Sequence, residues 1–448
     1  MRIVVVAAGT IGSQFAEALS GEHDVCVVHD GRDGWAELER LDLQLLEGQG
    51  NDVEVLRKAR AGDADFLVAC SRSDEMNLLA CLATRQLGEA QTICFVHSES
   101  YYRTFGGEEG GGAPRLGINR IVWPERMLAD RIEQILAVPG ATDVGRFAHG
   151  RISLIEYRLT HEIPLVDRPL AEISSLPPGV LVVAVTRGEE WFVPRGPSVL
   201  RVEDRVLFMG RTGAMRQLAA WFTDHLKEER SGDVVIIGGG TVGSHLAQSM
   251  ERNTRARLKL VEQDEARCAV LAEMLRHTLV LHGNGCDIGL LEEERVHEAK
   301  ALVAVTDSDE KNLLASLLGR QMGIPKIVTR VTTAANRKVF ERVGINVPLS
   351  ARGAAMEATL HMIRHKEIDL LATISEGKGE VLQISLPADF APTALKDLSL
   401  PPDSIVAALV RGQDVIVPGG ATVLAPTDRC LLICRVERVY EVQKALLG

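Results

Sequence analysis

The chain repeats itself, and this repetition limits what it can fold into more than any other feature of the sequence. Residues 7–13 read Ala-Ala-Gly-Thr-Ile-Gly-Ser, and residues 238–244 read Gly-Gly-Gly-Thr-Val-Gly-Ser. Two further segments recur in the same order, Asn-Leu-Leu-Ala at residues 77–80 and 312–315 and Arg-Gly at residues 187–188 and 411–412. A single active site rarely needs half of its chain copied, whereas an assembly of ligand-sensing modules uses both copies.

Each copy begins with a segment that predicts a parallel sheet. Its apolar runs are rich in Val, Ile and Leu without alternation, which is typical of strands buried on both faces with helices in the crossovers. The predicted strands are residues 2–7, 24–28, 42–46, 65–70 and 91–96 in the first copy, and 233–238, 257–262, 278–281, 301–305 and 326–330 in the second. We therefore expect two Rossmann-like domains, at residues 1–138 and 232–366.

A smaller module follows each of these domains, at residues 148–211 and 367–448. Its short strands are divided by Pro and Gly turns, which favours a small β-rich α+β domain. The predicted strands are residues 152–159, 179–186, 190–194 and 204–209, and then 381–386, 404–410, 414–418 and 428–434. The predicted fold class is α/β, with two Rossmann-like parallel-sheet domains that are each followed by a β-rich domain.

The two copies differ in length at one place. More residues separate Phe105 from Gly117 than separate their counterparts Phe340 and Gly344. The extra residues lie in a glycine-rich stretch, which predicts a flexible, poorly ordered surface loop. We attach no function to this loop.

Composition excludes several classes of protein. The formal net charge of −11 argues against nucleic acid as a partner, because phosphate-binding surfaces are usually basic. No apolar run reaches the roughly 18–20 residues of a membrane span, and the first residues predict a strand and not a signal peptide. The cysteines include no Cys-x-x-Cys pair and fall mostly in apolar strand patterns. We therefore expect a soluble, cytoplasmic protein with buried thiols.

The second copy carries a nucleotide-binding fingerprint. Residues 238–243 match G-x-G-x-x-G between a predicted strand and a predicted helix, and Glu262 follows roughly 20 residues later. In this pattern Gly238 permits a tight turn, Gly240 lets a pyrophosphate approach the backbone, and Gly243 lets helix and strand pack closely. The helix that opens at Thr241 and Val242 presents N–H groups and a positive dipole end. A carboxylate at Glu262 can accept bonds from ribose hydroxyls and disfavours a 2′-phosphate. NAD(H) or an adenine nucleotide is favoured over NADP, and a purely structural glycine turn is the alternative.

Further polar residues follow other strands of the same predicted sheet. Asn284 comes after the third strand, Thr306 and Asp307 after the fourth, and Arg330 ends the fifth. Because the carboxyl ends of parallel strands line the ligand crevice, Asn284, Thr306 and Asp307 are placed for base or ribose contacts. Arg330 could reach a phosphate. The alternatives are a helix N-cap with an acidic first turn after Thr306, and a surface salt bridge for Arg330.

The first copy is a weaker match. Ala7 replaces the first glycine, and Phe95 stands where the second copy has Arg330. The residues that remain as candidate ligands are Gly9, Thr10, Ile11, Gly12 and Asp30. The two sites are thus not expected to be equivalent, and we expect the second to bind nucleotide more tightly.

Other chemistries find little support. His361 and His365 are four residues apart on a predicted helix but lack the glutamate of a zinc-protease motif, so we expect a solvated helix face and no metal site. The rival function is an NAD-dependent oxidoreductase, which needs a proton-transfer group beside the nicotinamide. Neither small module repeats a His, Lys or Cys at matched positions, so we expect no enzyme. A nucleotide-independent scaffold is the third alternative.

The whole chain resembles the RCK (KTN) family of potassium-transport regulators in their tandem form. The resemblance rests on residues 238–243, Glu262, 283–285, 306–312 and 329–331 of the second Rossmann-like domain. It is extended by residues 177–188 and 410–412 of the small modules, and by the four-part order of the domains.

This resemblance implies a function that composition and spacing do not. Such proteins bind NAD(H), and also ATP or ADP, in their Rossmann-like domains and change the shape of a ring of modules. The ring, a homo-oligomer for which we expect a tetramer, gates a membrane potassium-transporting subunit of the Trk type. The implied location is cytoplasmic and peripheral on the inner face of the cell membrane.

Overall fold

The computed structural model describes residues 1–7, 10–21, 23–31, 38–106, 116–226, 232–254, 256–363 and 369–447. Within these residues no helix is both long enough and apolar enough to cross a bilayer. The predicted loop of the first copy lies largely outside the described residues.

The first sheet is parallel and has six strands in the order β3-β2-β1-β4-β5-β6. Its strands are β1 (Arg2–Ala7), β2 (Asp24–His29), β3 (Gln44–Glu47), β4 (Phe66–Cys70), β5 (Gln91–Phe95) and β6 (Arg120–Val122). The helices of this part of the chain are α1 (Thr10–Ser20), α2 (Val53–Lys58), α3 (Asp74–Leu87), α4 (Glu99–Tyr101) and α5 (Pro124–Leu136). The central strand β1 is buried on both faces, because an unbroken Val run leaves no polar face to expose.

An antiparallel sheet with one helix follows. Its strands, in the order β10-β9-β11-β8-β7, are β7 (Ala141–Phe147), β8 (Ile152–Arg158), β9 (Val180–Arg187), β10 (Glu190–Phe192) and β11 (Arg205–Arg211). Helix α6 (Thr212–Leu226) buries Leu218 and Phe222. Phe222 stacks on Tyr157 of β8 with ring centroids 3.7 Å apart.

The second half repeats both sheets. The parallel sheet, in the order β14-β13-β12-β15-β16-β17, contains β12 (Val234–Ile237), β13 (Leu258–Glu262), β14 (Thr278–His282), β15 (Ala301–Ala304), β16 (Lys326–Arg330) and β17 (Val347–Leu349). Its helices are α7 (Thr241–Asn253), α8 (Glu265–Met274), α9 (Ile288–Glu293), α10 (Asp309–Gln321), α11 (Ala334–Arg342) and α12 (Ala351–Ile363). The repetition of strand order confirms the duplication that the sequence predicts.

The chain closes with a second antiparallel sheet in the order β18-β19-β24-β21-β22 and a two-stranded pair, β20-β23. The elements are β18 (Asp369–Ile374), β19 (Gly379–Ser385), β20 (Thr393–Ala394), β21 (Ser404–Arg411), β22 (Asp414–Ile416), β23 (Val423–Leu424), β24 (Arg429–Arg435) and α13 (Val439–Leu447). The predicted fold class is therefore confirmed.

The chain divides into two compact units. The first contains residues 1–128 together with residues 350–363, and the second contains residues 129–349 and 364–448. Helix α12 belongs to the first unit because Ala355, Leu360 and Ile363 are buried in the core beneath β1 and β2. By sequence this helix falls within the predicted domain of residues 232–366. Its own residues do not indicate that it packs in the core of the first Rossmann-like domain instead.

In the second unit the two antiparallel sheets share one apolar core. Phe147, Leu154 and Met209 of the first sheet are buried with Val410 and Leu431 of the second. Trp191 packs so closely on Gly379 that a Cβ at this glycine would lie 2.6 Å from the indole ring. The two small modules are therefore packed as a pair, which the linear sequence does not indicate.

The predicted strands agree with the structure to within one or two residues, but six of the strands in the structure were not predicted. These are the outer strands β6 and β17 of the parallel sheets, the first strands β7 and β18 of the antiparallel sheets, and the two-residue strands β20 and β23. Strands β6 and β17 have three residues each, too few to show a period. Strand β7 contains Gly145, whose missing side chain leaves room for the Phe147 ring and weakens the strand pattern.

Candidate functional site

The glycines that follow β12 have different roles. Gly238 has φ of +107°, which favours glycine, and a Cβ there would lie 2.9 Å from the backbone nitrogen of Thr306. A Cβ on Gly243 would lie 1.9 Å from the carbonyl oxygen of Gly238. A Cβ on Gly240 would meet no heavy atom within 4 Å. Two glycines are thus required by packing, whereas Gly240 leaves open space in front of the N-terminus of α7.

Glu262, at the end of β13, holds this turn in place. Its Oε2 accepts a hydrogen bond of 2.7 Å from Gly239 N, and its Oε1 accepts bonds of 2.7 Å from Gln263 N and 2.9 Å from Asp264 N. A carboxylate has about four acceptor positions, so these three bonds leave roughly one for a ligand hydroxyl. The side chain is therefore fixed before any ligand arrives.

A cleft of about 390 Å³ opens between the carboxyl ends of β12, β13, β14 and β15. Of the residues selected from the sequence, the structure places these at the cleft wall: Gly238, Gly240, Glu262, Asn284, Thr306 and Asp307. This volume falls in the usual range for small-molecule sites, and the edge is the one where open α/β sheets bind ligands. Thr241, Val242 and Gly243 begin α7 behind the wall, with Val242 and Gly243 buried.

Thr306 is tied to the helix that follows it. Its Oγ1 lies 2.7 Å from Asn312 Oδ1 and 3.2 Å from Ser308 O, and its backbone N–H also donates to Asn312 Oδ1. Asn312 Nδ2 in turn donates to the carbonyls of Thr306 and Arg330. The repeated Asn-Leu-Leu-Ala motif therefore clamps the ends of two neighbouring strands. The hydroxyl of Thr306, a residue of the cleft wall, therefore serves this clamp.

The acidic segment after β15 serves both the helix and an ion pair. Ser308 is the N-cap of α10, with its Oγ accepting from Lys311 N at 3.2 Å, as one of the two sequence interpretations predicts. Asp307 is almost fully exposed and pairs with Arg330, whose Nη1 lies 2.6 Å from Asp307 Oδ1. Arg330 is not among the residues at the cleft wall.

Three further residues lie near the glycine turn, and two of them, Lys311 and Arg267, were not predicted from the sequence. Lys311 lies at the cleft wall with its Nζ 3.1 Å from Gln263 Oε1, and it supplies a cation there. Arg267 of α8 donates to the carbonyl of Gly239 and to Ser244 Oγ. Cys286 also lines the cleft, and burial raises the pKa of its thiol. The position of Lys311 three residues after an N-cap could have indicated it, but the placement of Arg267 depends on tertiary packing.

The first copy differs at the end of its first strand. Ala7 continues β1, paired with His29 and Cys70, whereas its counterpart Gly238 follows the end of β12. A Cβ on Gly12 would lie 2.0 Å from Ala7 Cβ, so Gly12 keeps the close packing of Gly243. Gly9 lies outside the described residues, and the side chains of Thr10 and Ile11 are not described.

The sheet register changes the expected counterpart of Glu262. Ile3 pairs with Val25, and its counterpart Val234 pairs with Leu258, so His29 ends β2 where Glu262 ends β13. The amide of Gly48 bonds to His29 O just as the amide of Gly283 bonds to Glu262 O. Asp30 lies one residue later and is exposed. The position of the acidic residue is thus taken by a buried imidazole.

A larger cavity, of about 800 Å³, lies at the opposite edge of the second parallel sheet, where β12, β15 and β16 begin. Lys326 at its wall is buried and donates to the carbonyls of Ile135 and Val138 at the end of α5. Glu133 is bonded to Ser249 and Asn253. These charged groups are engaged within the protein, and they stabilise the packing of α5 on the sheet.

The repeated Arg-Gly motif forms an ion pair in each small module. Arg187 donates to both carboxylate oxygens of buried Asp204, at 2.8 and 2.7 Å, and Arg411 does the same to Asp428, at 2.7 Å for both. The Arg411 guanidinium holds the pKa of Asp428 below its usual value. The motif is thus a structural clamp.

Among the described residues there is no group of three or more His, Cys, Asp and Glu side chains that could hold a metal ion. His365, one half of the histidine pair in the sequence, lies outside the described part of the chain, and the side chain of His361 is not described. Seven of the cysteines are buried as thiols, and Cys286 is the exception.

The fold and cleft define a tandem protein of two Rossmann-like, nucleotide-binding-type domains, each followed by a β-rich module. The model of the TrkA-N domain matches residues 3–123 and 234–351, and that of the TrkA-C domain matches residues 154–223 and 382–447. The chain belongs to the TrkA family of potassium uptake proteins. It is 31% identical, over 99% of both chains, to the Trk system potassium uptake protein TrkA homolog 2 of Methanosarcina mazei.

Solved structures share the fold. The GsuK RCK domain superposes with a TM-score of 0.63 at 19% identity, covering 99% of this chain and 94% of that one. The GsuK channel bound to NAD gives a TM-score of 0.62 at 19% identity, covering 99% of this chain and 78% of the channel. The RCK architecture that the sequence resembles is therefore the fold of this chain.

Proposed function

We propose that this chain is a nucleotide-sensing regulatory subunit of a Trk-type potassium-uptake system. The observation that carries the proposal is the open space above Gly240 at the N-terminus of α7, beside a carboxylate that the backbone already holds in place. Backbone N–H groups at a helix N-terminus and a positive dipole end favour a pyrophosphate at this point.

The ligand is NAD(H), and ATP or ADP can use the same contacts. The acceptor position left on Glu262 suits a ribose hydroxyl, whereas its negative charge repels a 2′-phosphate. Lys311 adds one cation at the cleft wall. The GsuK channel, which shares the fold, has been solved bound to NAD, and this supports the same class of ligand here.

Binding changes the conformation of a homo-oligomeric ring, taken as a tetramer, that gates a membrane potassium-transporting partner. The chain then acts in the cytoplasm, peripheral on the inner face of the membrane. Nucleic acid is not among its binding partners in this proposal. Membership of the TrkA family supports the partner and the location. A ligand can drive such gating only through different affinities for two states of the ring.

The chain regulates and does not catalyse. Glu262 is bonded to three backbone amides, and Lys311 is bonded to Gln263. The pKa of Cys286 is raised by burial, which disfavours the reactive thiolate. A carboxylate and a lysine that are already hydrogen-bonded, and a thiol with a raised pKa, suit ligand recognition better than proton transfer beside a nicotinamide.

The decisive variant is Gly240→Asp, tested by calorimetric titration with NAD⁺, NADH, ATP and ADP. A Cβ at this position would meet no heavy atom within 4 Å, and Gly240 has a negative φ of −66° that any residue can adopt, so the fold and thermal midpoint should be unchanged. Its carboxylate occupies the place of the pyrophosphate, and like charges in contact cost several kcal/mol, so affinity should fall about 100-fold or more. Nucleotide should be recovered unchanged after incubation with the wild-type protein.

The control is Gly243→Ala, whose Cβ would collide with the carbonyl of Gly238. This variant should lose thermal stability along with binding, whereas Gly240→Asp should lose binding alone. Undiminished binding by Gly240→Asp would contradict the site, and turnover of NADH would contradict a purely regulatory function. Potassium flux through the membrane partner, measured with wild-type protein and Gly240→Asp, then tests the regulation itself.

A further inference from the structure

Helix α10 starts at the nucleotide cleft and is tied at its first turn to the next helix. Ser308 and Lys311 face the cleft. Asp309, between them, accepts hydrogen bonds from Thr332 N at 3.1 Å and from Thr332 Oγ1 at 2.8 Å, and it accepts a further bond from Asn336 Nδ2 in the first turn of α11. A displacement of the first turn of α10 therefore moves the beginning of α11.

The other end of α11 is bonded to the first small module. Arg205 of β11 donates to Glu341 Oε1 at 2.8 Å, and Arg337 reaches the same oxygen at 3.4 Å. The side chains of Arg205 and Glu341 are only 23% and 22% exposed, so solvent screens this ion pair less than a surface pair. The proximity of both arginines lowers the pKa of Glu341, although its burial acts in the opposite direction.

Arg205 also faces a buried carboxylate inside the module. Glu156 of β8 is 7% exposed, and Thr142 Oγ1 donates to its Oε1 at 2.7 Å. Burial raises the pKa of Glu156, while the positive charges of Arg205 and Arg337 act against that rise. If Arg205 moved away, less positive charge would remain to stabilise the buried Glu156 carboxylate. We therefore expect the sheet of this module to move together with α11.

The first half of the chain lacks this connection. Tyr102 and Gly106 stand at the positions of Arg337 and Glu341. Asp74, the counterpart of Asp309, keeps the bond at this point, because it accepts from the backbone amides of His97, the counterpart of Thr332, and Ser98, so the missing part is the pair of side chains that reaches the small module. The connection therefore belongs to the second cleft, which is the one with the complete glycine turn.

We propose that nucleotide binding in the second cleft is coupled to the conformation of the first small module through α11 and the Arg205–Glu341 ion pair. The proposal rests on the proposed function and specifies where its signal travels. Because coupling is reciprocal, a change at the ion pair must alter nucleotide affinity, although neither residue is at the cleft wall.

The test is a double-mutant cycle of Arg205→Gln and Glu341→Gln, with the dissociation constant for NADH as the measured quantity. Each single variant should change it by about five-fold or more, the lower end of typical coupling between sites. The double variant should change it by no more than either single variant, because both remove the same connection. The control is Glu298→Gln, which removes an exposed ion pair with Arg295 in the same domain and should leave affinity unchanged.

Hydrogen exchange separates coupling from simple loss of stability. In the wild-type full chain, NADH should change the exchange of β8 and β11 as well as that of the cleft, and in Glu341→Gln the change in β8 and β11 should disappear. Equal affinities across the cycle, or an exchange change that persists in Glu341→Gln, would overturn the coupling. Failure of the wild-type chain to bind NADH, ATP or ADP would instead overturn the proposed function.

Discussion

At the scale of single residues, chemically identical positions in one motif have separable functions. The pattern G-x-G-x-x-G predicts a separate role for each glycine, and the structure supplies the distances: a Cβ at Gly238 or Gly243 would collide with the backbone, whereas one at Gly240 would meet no heavy atom within 4 Å. Spacing is less successful at Asp30, which it selects as the counterpart of Glu262, whereas the sheet register gives that position to His29. Spacing along a chain cannot resolve one residue of register, because the turn before a strand varies in length.

Cys286 offers a residue-scale measurement of the cleft. It is the one cysteine of the chain that is not buried, so a thiol-reactive probe should label it first. Since burial raises its pKa above 9.0, the thiolate is scarce at neutral pH, and the labelling rate should increase as pH rises towards and through that pKa. Saturating NADH should slow labelling, as followed by mass spectrometry of the intact chain.

The comparison variant for this experiment is Cys286→Ser, which should abolish the fast labelling. If labelling of Cys286 proceeds at the same rate with and without saturating nucleotide, the nucleotide does not occupy this cleft. Protection seen in wild type but absent in Gly240→Asp would place the pyrophosphate beside α7.

At the scale of elements, the two repeated motifs outside the glycine turn are structural. Asn77 makes the same four bonds in the first half as Asn312 makes in the second, joining Ser71 to Phe95. A sequence alone cannot tell such a clamp from a ligand site, because both require a fixed polar residue at a strand end. Ten of the twelve parallel strands were predictable from their apolar runs, and the three-residue strands β6 and β17 were not. The packing of α12 in the first Rossmann-like domain depends on tertiary contacts that local sequence does not encode.

The Arg411–Asp428 clamp gives the element-scale prediction. Arg411→Met leaves Asp428, which is 1% exposed, without its cation. Breaking a fully buried pair costs about 3–5 kcal/mol, and we expect about 2 kcal/mol here because the guanidinium is half-exposed. The matched variant Arg187→Met in the first module should have a similar effect, measured by denaturant unfolding of both variants at pH 7.

The pH dependence of this loss follows from the lowered pKa of Asp428. A carboxylate with a folded-state pKa below 3.8 contributes stability that is present above that value and is lost as pH falls through the lowered pKa. The difference between wild type and Arg411→Met should therefore be largest near neutral pH and shrink below about pH 4. A difference that stays constant from pH 7 to pH 3 would show that the ion pair is not its source.

At the scale of the whole molecule, the duplication has produced two halves with the same fold and different sites. The second half has a glycine turn with positive φ, a fixed carboxylate and a lysine at the cleft wall. At the positions of Gly238, Glu262 and Arg330 the first half has Ala7 within a strand, buried His29 and buried Phe95, which packs edge-on against Phe15. The sequence predicted this inequality from Ala7 and Phe95, but not the change at His29.

We therefore expect one tight nucleotide site per chain, located in the second half. Calorimetric titration of wild-type protein with NADH should give a tight phase of about one equivalent, and Gly240→Asp should remove that phase. The matched variant by sequence is Gly9→Asp, which should leave the tight phase intact.

The pair Gly12→Asp and Gly243→Asp is less selective for ligand binding, because a Cβ at either glycine would approach a neighbouring atom to 2.0 Å or less. Equal losses from Gly9→Asp and Gly240→Asp would mean that both halves bind alike, and the differences at Ala7, His29 and Phe95 would then have no consequence for the ligand. A loss confined to Gly240→Asp would assign the first half to structure, with its Rossmann-like domain retained as a packing partner and not as a sensor.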